Sequence, residues 1–286
     1  MSNEDSLTAS LDLLRRLPPQ SIESNLDLLV NILPDLADDL LSSVDQPLKV
    51  QVDDTAREYL VCDYNRDGDS YRSPWTNTYA PPLSDGTAPS PQLRKLEVAM
   101  NEAFDVYRDL YYEGGVSSVY LWDVDDGFAG VVLVKKTTDS AASTASWDSV
   151  HVFESTPRGR TAHYKLTSTV MLYMTKPLKA GQEQGEGISS EGEVALGGSM
   201  TRQHELSAPL DSSSPTQIAQ SHLENVGKMV EDMEIKMRNL LGEVYFSKTK
   251  DILSSLRSSS GFGEQAKQRA LQGELVGLLK GRRVAT

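Results

Sequence analysis

The chain has 286 residues, 38% hydrophobic and 24% charged, with 28 basic against 41 acidic side chains and a formal net charge of -13. That length can bury a sizeable core in one or two domains, and the composition is that of a globular protein rather than a disordered one. The acidic balance repels phosphates and so excludes a general binder of nucleic acid or anionic membranes, while the single cysteine, Cys62, excludes an internal disulfide. The chain contains no Asn-x-Ser/Thr sequon and no apolar run of transmembrane length, and its acidic N-terminus lacks a signal-peptide core. A reducing, cytosolic setting is the expectation.

Residues 1–58 read as a helical stalk. Leu7, Leu11, Leu14 and Leu17 recur at helical spacing before Pro18-Pro19, Ile22, Leu26, Leu29 and Leu33 repeat the pattern before Pro34, and Leu36, Leu40 and Leu41 begin a third run. Helices this short are not stable alone, so each leucine stripe is expected to pack in an antiparallel bundle against something else. Residues 1–60 carry 12 Asp/Glu against 4 Lys/Arg, which makes the outer face of the bundle a solvated acidic surface.

Residues 59–113 read as a turn-rich segment followed by a helix. Asp63, Asn65, Asp67, Gly68 and Asp69 fall at the first, third, fifth, sixth and seventh positions of an EF-hand loop. The twelfth position, where such a loop needs a bidentate glutamate, is Pro74, which offers no side-chain oxygen and stops a following helix. The residues therefore fit a surface knot in which Asp and Asn bond nearby backbone amides and Tyr71 and Trp75 anchor the turns.

Strand periodicity takes over across residues 114–210. Val116–Trp122 alternates, a turn over Asp123–Gly127 leads into Phe128–Lys136, and Val131-Val132-Leu133-Val134 within it predicts burial on both faces. Trp147–Glu154 and His163–Met174 flank the turn signal Thr156-Pro157-Arg158-Gly159, and a fifth strand is expected near Glu193–Gln203. An antiparallel meander is the simplest topology, and it needs cover on a face and company on an edge.

The cover is expected from residues 214–257. Ser214-Pro215-Thr216-Gln217 supplies an N-cap, a first-turn proline and a capping-box glutamine. Val226, Met229, Met233, Met237, Leu240 and Val244 then form one stripe of a helix about 40 residues long, wider than the sheet one chain can supply. That mismatch points to a partner subunit that continues the sheet.

Residues 262–286 form a separate amphipathic tail beyond a Ser258-Ser259-Ser260-Gly261 hinge. The tail holds five basic residues, Lys267, Arg269, Lys280, Arg282 and Arg283, against Glu264 and Glu274, and it places Leu271, Leu275 and Leu278 on one helical face with Leu279 beside them. Gly273, Gly277 and Gly281 each weaken a helix by about 1 kcal/mol relative to alanine. A basic, leucine-faced and poorly self-stabilised segment suits an acidic partner with an apolar cleft, on which it can order. Burying four aliphatic side chains yields roughly 6 to 12 kcal/mol gross. Ordering the segment consumes much of that, so tight binding calls for a second tail engaged alongside it.

Three segments carry a resemblance: Tyr59–Trp75 with its Asn65-Arg66-Asp67-Gly68-Asp69-Ser70-Tyr71-Arg72-Ser73-Pro74-Trp75 core, Leu93-Arg94-Lys95-Leu96-Glu97, and Tyr107–Trp122 with Tyr111-Tyr112-Glu113-Gly114-Gly115-Val116. On these the chain resembles the beta subunits of the heterodimeric F-actin capping protein family. The likeness runs from Leu11 to Ile252, apart from a Gly/Glu-rich insertion at Ala180–Gly192 and a divergent tail after Ser258. The resemblance implies an α+β fold with an N-terminal antiparallel helical stalk and a central antiparallel β-sheet continued by the partner subunit. A long C-terminal helix would cross that sheet, and a terminal amphipathic tail helix would follow it. It implies an obligate heterodimer with an alpha subunit that caps actin filament barbed ends in the cytoplasm, without calcium, nucleotide or other cofactor. The actin cleft would receive Leu271, Leu275, Leu278 and Leu279, with Lys267, Lys280, Arg282 and Arg283 as charged contacts. Some members answer to regulatory proteins or phosphoinositides, for which Lys236, Arg238, Lys248 and Lys250 are the candidate basic contacts.

An enzyme is the rival class, and the sequence offers it no phosphate-binding Gly-rich loop, no Gly-x-Ser-x-Gly elbow and no His/Cys cluster at metal spacing. His151, His163, His204 and His222 are scattered, and those in strands read as structural. The alternative function is a non-actin interaction scaffold, or a calcium-binding protein that uses the Asp63–Asp69 loop.

Overall fold

A computed structural model describes residues 3–140, 143–177 and 193–243. The chain divides into two compact units, residues 1–234 and 235–286.

The leucine stripes build three short helices, α1 (Asn3–Arg16), α2 (Ile22–Ile32) and α3 (Ala37–Ser43). Helix α1 opens on Glu4 and Asp5 and closes on Arg15 and Arg16, charges that complement its dipole, and Pro18-Pro19 ends its course. Leu14, Leu26, Leu36 and Leu40 form the bundle core, with Leu7, Leu11, Leu29 and Leu33 packed around it. Leu41, grouped by spacing with the third stripe, is instead exposed, because on so short a helix only one of two adjacent leucines can face inward.

The chain then forms a hairpin, β1 (Lys49–Val52) and β2 (Glu58–Val61), which the sequence analysis did not anticipate. A small three-stranded sheet follows from β3 (Arg66–Asp67), β4 (Ser70–Arg72) and β5 (Tyr79–Ala80). Helix α4 (Pro91–Tyr112) begins with proline at its first turn and ends at Glu113, which adopts a left-handed backbone with φ of 53° before Gly114-Gly115.

Five strands, β6 (Val116–Val124), β7 (Gly127–Ser140), β8 (Ser143–Arg158), β9 (Thr161–Pro177) and β10 (Glu193–Pro209), make an antiparallel meander in the order β10-β9-β8-β7-β6. Two-residue turns set the register: Val124 faces Gly127, and Arg158 faces Thr161 across Gly159, whose φ of 66° such a turn requires. The strands run past the hydrophobic stretches that predicted them. Once the ladder is in register, the polar residues at each end continue to pair through their backbones whatever their side chains.

Both faces of the sheet are covered where it is most apolar, and Val131, Val132, Leu133 and Val134 are fully buried. Tyr120, Val131, Leu133, Val150 and Met171 share one face with Ile22, Leu48 and Leu60, so the hairpin and the base of the stalk seal that side. The opposite face carries α4 and, through its residues 215–234, α5 (Pro215–Leu241). Ser214 Oγ accepts the N–H of Gln217 at 3.2 Å, as the predicted cap requires, and Val226, Met229, Val230 and Met233 are buried. The expected continuation of this helix beyond residue 243 lies outside the described residues.

Candidate functional site

The segments that carried the resemblance meet in space around one buried carboxylate. Glu97, on α4, is fully buried, and Arg72, on β4, is 3% exposed. Arg72 donates from both guanidinium ends, Nη1 to Oε1 at 2.8 Å and Nη2 to Oε2 at 2.7 Å, and the backbone N–H of Leu121 adds a bond to Oε2 at 2.7 Å. Arg94 also donates to Glu97, one helical turn away. Arg72 further reaches Asn77 Oδ1 at 2.7 Å. Burial alone would lower the Arg72 pKa, but the bonds and charge of Glu97 outweigh it and hold the guanidinium above its usual value.

The neighbouring joints follow the same logic of satisfying buried backbone. Asn101 accepts the N–H of Val119 and donates to its carbonyl, both at 2.9 Å, which fastens α4 to β6. Tyr120 donates its hydroxyl to Leu60 O at 2.7 Å, and Leu60 N–H is accepted by Ser118 Oγ at 2.9 Å, which fastens β2 to the other face. Arg57 lies over the Trp75 ring at 3.5 Å while Trp75 Nε1 donates to Glu58 O, so Trp75 anchors the knot as its type predicted.

The carboxylates of the Asp63 loop do not converge on a cation site. Asn65 is buried, with Oδ1 accepting from Cys62 N and Nδ2 donating to Arg72 O, both at 2.9 Å. Asp67 Oδ2 accepts from Thr87 N at 3.1 Å, and the Arg66 guanidinium stands 4.0 Å from Asp63 and 3.9 Å from Asp69. Among the described residues no group of three His, Cys, Asp or Glu is placed to hold a metal ion. The loop is a structural joint between β2 and β4. Cys62, beside it, has its thiol pushed up to about 12 by burial.

On the α5 face, His151 bonds Ser168 Oγ through Nδ1 and Glu234 through Nε2, both at 2.8 Å. Burial works to raise the Glu234 carboxyl, but His151, with help from Ser149 and Tyr112, holds it below the usual carboxylate range. An acid, an imidazole and a hydroxyl in line form the array a hydrolase uses. Here all three members are at most 2% exposed, so no substrate carbonyl can approach, and the array instead ties α5 to β8 and β9. Sequence reasoning scattered the histidines and missed this arrangement, since residues 151, 168 and 234 share no local motif.

The sheet has two unlike edges. Strand β6 has the N–H groups of Val119 and Leu121 bonded by Asn101 and Glu97 of α4, whereas no described strand pairs with the outer edge of β10, which is 17 residues long. Exposed aliphatic residues also line the stalk and α4, among them Leu28, Ile32, Val106 and Leu110.

A sequence model of the family described as F-actin capping protein, beta subunit, matches residues 7–253. The chain belongs to the F-actin capping protein beta-subunit family. It is 57% identical over 270 residues to the F-actin-capping protein subunit beta of Aspergillus oryzae, covering 94% of this chain and 96% of that one. The Drosophila melanogaster subunit beta is 54% identical over 286 residues, at 99% and 98% coverage, and the Caenorhabditis elegans subunit beta is 53% identical over 275 residues, at 95% and 96%. Among solved structures, the homodimeric actin capping protein alpha subunit of Plasmodium berghei aligns with 90% of this chain and 99% of its own, at 14% identity and a TM-score of 0.44, a likeness too distant to carry an argument.

In this family member Lys236 and Arg238 are exposed on α5. Lys248 and Lys250 lie outside the described residues, as do all the tail residues predicted to touch actin, Lys267, Leu271, Leu275, Leu278, Leu279, Lys280, Arg282 and Arg283.

Proposed function

We propose that this chain is the beta subunit of an alpha/beta heterodimer that caps the barbed ends of actin filaments, blocking subunit addition and loss. The observation that carries this reading is membership of the family over nearly the whole chain, with beta-subunit relatives above 50% identity end to end. Two features of the described residues support a partner subunit: the long unpaired edge of β10, which an antiparallel strand would complete, and the aliphatic residues left exposed on α2 and α4.

In this mechanism the sheet and its helices are the platform, and residues 262–286 are the grip. Leu271, Leu275, Leu278 and Leu279 enter the apolar cleft of a terminal actin protomer, and Lys267, Lys280, Arg282 and Arg283 meet the acidic actin surface. A second tail on the alpha subunit holds a second protomer, so release requires both to let go. Lys236, Arg238, Lys248 and Lys250 are the basic positions at which phosphoinositides would loosen the cap. The protein performs no chemistry, and its place is the cytoplasmic actin cytoskeleton.

The test is co-expression with an alpha subunit followed by elongation of pyrene-labelled actin from filament seeds. Substoichiometric heterodimer should stop barbed-end growth in calcium chelator as well as in calcium. Unaltered elongation, or co-purification with an unrelated protein in place of an alpha subunit, would end this account.

A further inference from the structure

A cavity of about 840 Å³ opens between the first turns of α4 and α5, above the turn that joins β6 to β7. Its volume is in the range that holds small organic ligands. The floor is apolar, made by Leu93 and Leu96 of α4, Phe128 of β7 and Leu223 of α5. Two opposite charges stand at its rim, Lys95 and Asp123, and the Asp123 carboxylate is already held by Ser90 N and Oγ at 2.8 Å each. The cavity therefore selects neither an anion nor a cation.

The His222 side chain reaches it from below. His222 is 5% exposed, lines the cavity and sits edge-on to Phe128 with ring centroids 5.0 Å apart. Its Nδ1 is 2.7 Å from the Tyr164 hydroxyl, which also receives a bond from Asn225 Nδ2 at 3.2 Å. An amide nitrogen can only donate, and Ser155 Oγ stands farther off, 3.5 Å from the same Nδ1, so His222 Nδ1 at 2.7 Å is the nearest acceptor for the buried Tyr164 proton. With Tyr164 donating to it, Nδ1 is bare and Nε2 carries the hydrogen. Burial pushes the His222 pKa down to about 4, so the ring is neutral at physiological pH. Nε2 has no hydrogen-bond partner among the described residues, which leaves a neutral, oriented donor above an apolar floor.

We propose that this cavity binds a small, uncharged, mostly apolar molecule through one carbonyl or hydroxyl oxygen, which accepts the Nε2–H of His222. The apolar body of the ligand lies on Phe128, Leu93 and Leu223, and its oxygen takes a donor that is otherwise left to water. Neither the platform nor the tail of the capping reading uses this cavity, so its occupancy is a separate property of the chain.

The test is imidazole nitrogen NMR on the full chain as it assembles, labelled in this subunit and titrated with N-benzylacetamide as the probe. The free protein should show His222 protonated at Nε2, and the probe should shift that signal saturably. His222→Phe, which keeps the ring but removes the donor, should weaken the probe by about tenfold, the worth of one hydrogen bond. Ala219→Trp, which fills the cavity from its α5 wall, should abolish binding with the fold retained by circular dichroism. An Nδ1-protonated ring, an unmoved His222 signal, undiminished binding by Ala219→Trp, or tighter binding of benzoate or benzylammonium than of the neutral probe would each overturn the proposal. If His222→Phe does not fold, the wild-type titration and Ala219→Trp decide the matter between them.

Discussion

Arg72 and Glu97 lie 25 positions apart in sequence and form a two-pronged ion pair, at 2.8 and 2.7 Å, with both side chains almost wholly removed from water. The pair joins the turn-rich knot to α4, and through Leu121 N it reaches the first strand of the sheet. Breaking one side of such a pair leaves a bare charge in the interior, and the loss is about 3–5 kcal/mol. Glu97→Ala and Arg72→Ala should each lower stability by that amount, read as a shift in the urea midpoint of the assembled protein. The double variant should lose less than the two single losses added together. A Glu97→Ala protein as stable as the parent would refute the role assigned to the pair.

Gly130 is a second point where substitution has a definite outcome. A methyl group on its backbone would overlap Leu121 and approach Phe153 within 2.8 Å and the Tyr120 carbonyl within 2.9 Å. These neighbours are themselves buried, so they have no room to yield. Gly130→Ala should destabilise by about 1–3 kcal/mol, seen in thermal melts, whereas Gly227→Ala, with open space around it, should be neutral or slightly stabilising.

Two carboxyl groups predict opposite pH responses. Burial, opposed by the Thr169 hydroxyl and aided by Asp63, raises the Asp45 carboxyl above its ordinary 3.8. An acid raised in the folded state stabilises below its unfolded pKa and loses that contribution as pH climbs through the raised value. Asp45→Asn should therefore stabilise at pH 7 and give little at pH 4. Glu234 is held below its ordinary 4.5, so its contribution is present above that value and is lost as pH falls through the depressed one. Glu234→Gln should destabilise at pH 7, with the deficit shrinking in acid. Denaturant melts of both variants at the two pH values distinguish these signs.

The capping reading makes its own demand on the tail. Replacing Leu275 with Arg removes a buried aliphatic contribution of about 1.5–3 kcal/mol, which corresponds to dissociation from filament ends faster by at least about tenfold. Removing residues 262–286 should accelerate it further, with the heterodimer still folded by circular dichroism. Unchanged dissociation, followed by pyrene fluorescence after dilution of capped filaments, would take the tail out of the mechanism.

Leu14, Leu26 and Leu40 were legible as an inward stripe because a helix turns every 3.6 residues regardless of its surroundings, and Pro18 and Pro34 end their helices by local sterics. The alternation over Val116–Trp122 marked one strand, and the unbroken apolar run Val131–Val134 marked burial on both faces in the next. The hairpin of β1 and β2 was hidden because four-residue strands with exposed Val50 and Val52 carry no clear period, and what makes them strands is the Tyr120 and Ser118 bonds to Leu60. The Asp63 loop showed calcium-like spacing, yet spacing does not say where an oxygen points, and Asn65 points inward to Cys62 and Arg72.

The sequence by itself determined the helices, the meander, the capped start of α5 and the family, because these depend on periodicity, turn chemistry and residue identity close along the chain. Only the tertiary structure decided that Glu97 answers Arg72, that His151 links Ser168 to Glu234, and that Tyr164 orients the His222 ring. Those pairings arise when distant strands and helices close over the same buried space, where every polar group must find a partner that no local pattern can name.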